Sequence, residues 1–91
     1  MIGVPGTMPL LAPHVRLRHD AARDRYVLLS PETVAVLNGT SAAILRLCDG
    51  QHSVAEIIAE LRGRYDHVPE DEVREFLSRM AAKHYVEITD G

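Results

Sequence analysis

Few side chains in this chain are equipped for covalent or metal chemistry: Cys48, four serines and five histidines. Ser30, Ser41 and Ser53 sit in turn or cap contexts and Ser78 on an exposed helix face. None lies in the strand–turn–helix context of a nucleophile elbow. His14, His19, His52, His67 and His84 are dispersed, without the i, i+4 pairing on a helix that would build a metal site. Cys48 follows an apolar run and precedes Asp49, at a helix C-terminus. A reactive thiolate needs a cation or a helix N-terminus beside it, so Cys48 reads as a small buried hydrophobe. No G-x-G-x-x-G or phosphate-binding loop is present. These residue types give no catalytic site, no metal site and no cofactor site. Asp20 and Asp24 flank Arg23 in a dense charged connection, where exposed ion pairs contribute only about 0–1 kcal/mol each. Their crowding points to a turn specifier or a surface for docking a partner.

The elements that position these residues fit a single small domain, since 91 residues leave room for one core and hardly a second. Tyr26, Tyr65, Phe76 and Tyr85 are the only aromatics, so the core is expected to be aliphatic. One cysteine rules out an intramolecular disulfide. No stretch approaches the ~20 apolar residues of a spanning helix. No Lys or Arg precedes Arg16, so the start lacks a signal peptide's charged region. The expected location is the cytoplasm.

Residues 1–12 are apolar but punctuated by Pro5 and Pro9, and predict an extended arm that covers an apolar surface on its own domain or on a neighbouring subunit. A single domain over 13–91 follows. His14–His19 alternates with period two, Tyr26–Leu29 is a short β-rich run, and Thr33–Leu37 is a third strand after the turn at Ser30-Pro31-Glu32. Short connections make these an antiparallel meander. The period then changes at Asn38–Ser41, and a helix runs to Asp49-Gly50, where glycine tolerates the left-handed region. Ser53-Val54-Ala55-Glu56 matches a capping box, and Val54, Ile57, Ile58 and Leu61 form one stripe ending near Gly63. A third helix begins at Pro69, with Glu70, Asp71 and Glu72 against the positive end of its dipole and Val73, Phe76, Leu77 and Met80 as its buried stripe. Tyr85–Ile88 closes as a short extended segment. The expected fold is α+β: a three-stranded antiparallel sheet followed by three helices, with a winged-helix-like outline.

That outline raises DNA binding as one function, with the third helix in a major groove. Ten Lys+Arg against 13 Asp+Glu oppose it, as do the acids crowding the start of that helix. A backbone binding surface is the other reading. Thr33–Leu37, as the last strand of the meander, offers an edge to a strand from another chain. The same edge is equally open to the N-terminal arm or to a dimer mate. A structural dimerisation domain, joined through the arm or a strand edge, is therefore a third reading.

The run Arg16-Leu17…Asp20…Arg23…Leu28-Leu29-Ser30-Pro31-Glu32, then Ile44-Leu45…Asp49-Gly50…Val54…Ile57-Ile58 and Val73…Phe76-Leu77, resembles the PqqD family over about residues 9–86. The resemblance implies a non-enzymatic peptide chaperone of pyrroloquinoline quinone biosynthesis, a recognition element for a ribosomally made, post-translationally modified peptide. Such a domain binds a PqqA-like precursor by strand addition and presents it to a PqqE-like radical S-adenosylmethionine enzyme, which cross-links a Glu and a Tyr of the precursor. The radical chemistry belongs to that partner. The implied peptide site lies between the third strand and the third helix. Carried over by position, it comprises Thr33, Val34, Ala35, Val36 and Leu37 with Val73, Arg74, Phe76, Leu77 and Met80. Asp20, Arg23 and Asp24 are the candidate surface for the partner enzyme.

Two positions depart from the family pattern: Tyr26, where a larger aromatic is common, and His84, where glycine is common. His84 visits the left-handed region less readily than glycine, so the end of the third helix is expected to differ. Residues 1–8 lie outside the resemblance. About five strand hydrogen bonds at a net ~0.5–1.5 kcal/mol each give only a few kcal/mol, and association costs several kcal/mol before any affinity appears. Side-chain anchors must supply the rest, drawn from Val34, Val36, Phe76, Leu77 and Met80, with Arg74 beside them.

Overall fold

The structure is a computed structural model, and it describes residues 7–90 of the chain. Five strands and three helices follow in the order β1 (Thr7–Leu11), β2 (Arg16–Asp20), β3 (Arg25–Leu29), β4 (Val34–Leu37), α1 (Gly39–Arg46), α2 (Val54–Arg62), α3 (Glu70–Ala82) and β5 (Val86–Asp90). β2, β3 and β4 form the expected antiparallel meander. The segment read as an arm contributes more than cover. Thr7–Leu11 pairs antiparallel with β5 in a second, two-stranded sheet, and residues 1–6 lie outside the described residues. The apolar arm and the closing Tyr85–Ile88 segment are both extended, as expected, and each finds its mate at the other end of the chain. Leu11 N–H donates to Cys48 O and Gly50 N–H to Pro9 O, both at 3.0 Å, which ties β1 to the α1–α2 connection. Gly50 has φ +76, so the turn needs its freedom, and Leu10 Cδ1 lies 3.5 Å from where a Cβ would stand.

Each helix has a local cause. Asn38 Oδ1 accepts from Ser41 N–H at 2.7 Å and caps α1. At α2 the capping box is complete: Glu56 N–H donates to Ser53 Oγ at 3.1 Å, and Ser53 N–H donates to Glu56 Oε1 at 2.7 Å. The bond from Ser53 N–H to its charged form, helped by the Ser53 side chain, holds the Glu56 carboxyl below its usual range. Ser53→Ala is expected to cost about 1 kcal/mol, read as a lowered urea midpoint with an unchanged slope. α3 begins one residue later than its sequence suggests, because Pro69 keeps an extended ψ of 123 and takes the cap position.

The other end of α3 corrects an expectation. His84 does adopt the left-handed conformation, with φ 63. His84 N–H donates to Ala81 O at 3.0 Å and Tyr85 N–H to Met80 O at 2.9 Å. That pair of bonds is the Schellman closure usually given to glycine. The backbone requirement at this corner, where the chain reverses into β5, overrides the side chain's reluctance.

The core lies between the helices and the inner face of the meander. Leu45, Ile57, Leu61 and Leu77 are fully buried, joined by Leu28, Val54, Val73 and Val86. α1 packs across β2, β3 and β4, while α3 packs chiefly on β5 and α2. Cys48 belongs to this core: burial, with Asp49 beside it, pushes its thiol up to about 12. Its Sγ donates to Ile44 O at 3.3 Å. No described helix is long and apolar enough to cross a membrane.

Candidate peptide-binding site

β4 is the last strand of its sheet, so one side of it is unpaired. Ser30 and Thr33 exchange hydrogen bonds in both directions, at 2.9 and 3.4 Å. In an antiparallel ladder such exchanging pairs alternate with non-bonded ones. With Leu29 opposite Val34, Leu28 opposite Ala35, Val27 opposite Val36 and Tyr26 opposite Leu37, the backbone groups of Thr33, Ala35 and Leu37 face β3. Those of Val34 and Val36 face the open edge. An incoming strand thus meets two residues, each offering one donor and one acceptor, rather than five. Val34 and Val36 are also the exposed large hydrophobics of the described chain, at 68% and 57%.

Beyond the end of β4 lies a cleft of about 350 Å³. Asn38, Thr40, Ser41 and Ile44 form the wall contributed by the start of α1. Glu72, Val73, Phe76 and Arg79 form the opposite wall on α3, with His67, Val68 and Pro69 closing one end. Ile44, Val68, Val73 and Phe76 make the cleft apolar within, while hydroxyls, His67, Glu72 and Arg79 make it polar at the rim. The arrangement suits an extended peptide that seats an apolar side chain inside and keeps its backbone and charged groups outside.

Of the ten positions singled out in the sequence, Val73 and Phe76 line this cleft and Val34 and Val36 form the open edge. Ala35 and Leu37 are half-buried against the core. Leu77 is fully buried and has no surface to offer. Met80 is half-buried on the core. Arg74 points away, engaging Glu70 at 2.9 Å on the other flank of α3. A helical repeat of 3.6 residues explains the split, since Glu72, Phe76 and Arg79 share one stripe and Arg74 stands nearly opposite. Glu72 and Arg79 were thus findable from Phe76 by i−4 and i+3 spacing. Asn38, Thr40, Ser41 and His67 join from elsewhere in the chain and carried no such signal.

The charged connection is also rearranged relative to expectation. Asp24, in a left-handed turn position, approaches His19 Nε2 at 3.1 Å, and Asp20 lies 3.8 Å from Arg25 Nε. Arg23, expected to hold both acids, has no ion-pair partner among the described residues. At the α1–α2 connection, Asp49 accepts from Gln51 N–H at 2.8 Å and engages His52 Nδ1 at 2.9 Å. These contacts hold the Asp49 carboxyl below, and the His52 imidazole above, their ordinary values.

Residues 25–86 match the family model of Coenzyme PQQ synthesis protein D (PqqD). The chain belongs to the PqqD family. A PqqA binding protein of Methylococcus capsulatus is 46% identical over 74 residues, covering 80% of each chain. Another from Pseudomonas aeruginosa is 36% identical over 84 residues, covering 90% of this chain and 91% of its own. Among solved structures, the PqqD truncation of Methylobacterium extorquens PqqCD superposes with a TM-score of 0.76 at 33% identity, over 96% of this chain and 95% of that one. It is described as a functional, stand-alone recognition element for ribosomally synthesized and post-translationally modified peptides.

Proposed function

We propose that this chain is a non-catalytic peptide chaperone that captures a PqqA-like precursor as an added strand on β4 and presents it to a PqqE-like radical S-adenosylmethionine enzyme in the cytoplasm. The observation that carries the reading is the open edge at Val34 and Val36 beside the cleft between α1 and α3, apolar at its floor and polar at its rim. The names of the relatives, PqqA binding proteins, support the same ligand. An added strand alternates its side chains between the two faces of the sheet. Every second residue of the precursor is then directed toward the cleft, and the residues between are left on the outer face.

Four edge hydrogen bonds contribute only a few kcal/mol in total, which makes the cleft the source of sequence preference. Titrating isotopically labelled protein with a synthetic PqqA-like peptide is expected to give saturable amide shifts at Val34, Val36, Phe76 and Arg79. A folded domain whose amides do not move at millimolar peptide would overturn the reading. Shifts confined to β1 and β5 would relocate the site.

A further inference from the structure

The face of the meander turned away from the helices is an ordered grid with no element of the described chain packed on it. Tyr26 contacts His19 and lies beneath the Arg46 guanidinium, and Leu28 is buried, so these alternate residues face the helices. Their neighbours face outward. The register sets Arg16, Leu29 and Val34 in one row, Arg18, Val27 and Val36 in the next, and Asp20 beside Arg25 in a third. Val27 and Leu29 are half-buried yet stand outside the core cluster. Four aliphatic side chains therefore form a patch, walled on the β2 side by Arg16 and Arg18 and at the hairpin end by Arg25.

The charge of this rim is unbalanced. Arg16 and Arg18 are exposed and have no ion-pair partner among the described residues. Arg25 Nε is buried without a hydrogen-bond partner, its nearest acid being Asp20 at 3.8 Å. With two of its four side chains half-buried, the patch falls well short of the about 800 Å² per partner in a standard stable interface. A patch so small, apolar at its centre and cationic at its rim, fits a transient complex better than a permanent dimer.

Resting on the peptide-chaperone reading above, we propose that this outer sheet face docks the modifying enzyme, through an apolar contact that the enzyme rings with carboxylates. The backbone edge of β4 holds the precursor while the side chains of Val34 and Val36 on the same strand hold the enzyme. The two ligands share one strand without competing for the same atoms. An enzyme seated here borders the added peptide strand directly, because a strand on the open edge extends this same face.

The test uses the full chain, a synthetic PqqA-like peptide and a purified PqqE-type enzyme in calorimetric titrations. The double variant Arg16→Glu/Arg18→Glu is expected to weaken enzyme binding at least tenfold while leaving peptide affinity within about twofold. Arg16→Lys/Arg18→Lys should restore most of the enzyme affinity, and wild-type affinity should fall steeply with added salt. Unchanged enzyme affinity in the Glu variant overturns the proposal, as does a wild-type chain that never binds the enzyme. Sedimentation showing a wild-type dimer that the Glu variant abolishes assigns the face to a second copy and overturns it too. Peptide affinity is read separately, so failure of precursor capture is distinguishable from failure of enzyme docking.

Discussion

Val36→Pro is expected to lower precursor affinity tenfold or more while the domain stays folded. Proline removes the backbone donor and puts a ring where the incoming strand must approach. At Val36 that donor faces the open edge, because the reciprocal Ser30–Thr33 bonds fix the phase of the ladder. Edge strands tolerate proline where the lost N–H points to solvent, and the preceding Ala35 is already extended, as a residue before proline must be. Ala35→Pro gives the opposite result. Its N–H faces Leu28 across the ladder, so its loss leaves a partner acceptor unmet, at about 1–3 kcal/mol, and loosens the strand itself. Peptide affinity by calorimetry and unfolding by urea, measured on both variants, separate the two effects. Equal affinity loss in the two variants at equal stability would mean that the peptide does not read this edge.

Local signals in the sequence account for most of the fold. The capping box at Ser53–Glu56, the turn at Pro31-Glu32 and the period change at Asn38 each name an element through interactions within a few residues. The β1–β5 sheet was not legible in that way: its strands are about 75 residues apart, and pairing at that distance leaves no mark in local periodicity. The candidate site divides along the same line. Phe76 and Val73 were recognisable from the stripe of α3, but that stripe does not say which of its edges is open. Leu77, a member of the buried stripe, and Arg74 entered the site by position in the family resemblance, and only the packing of α3 on β5 and α2 and the Arg74–Glu70 pair assign them elsewhere. The outer face of the meander was hidden for another reason. The run Tyr26-Val27-Leu28-Leu29 is apolar throughout, so its pattern does not say which alternate residues face the core; the burial of Leu28 alone among them turns Val27 and Leu29 outward.

Leu77→Ala is expected to destabilise the domain by about 2–5 kcal/mol, the range for removing a fully buried leucine and leaving a partly collapsed cavity. Leu77 has 0% exposure, and a domain of this size has a total stability of about 5–15 kcal/mol. The loss is therefore a large share of the whole and should appear as a strongly lowered urea midpoint. Arg74→Ala, which breaks a partly exposed pair with Glu70, should cost no more than about 1 kcal/mol. Phe76→Ala differs from both, since its ring lines the cleft as well as resting on the core. It should weaken peptide binding at temperatures where the variant is fully folded, whereas Leu77→Ala, once folded, should bind the peptide nearly as the parent chain does. A folded Leu77→Ala variant with near-native stability would mean that α3 is not anchored through this residue. In that case the cleft wall it supports would have to be rebuilt around Val73.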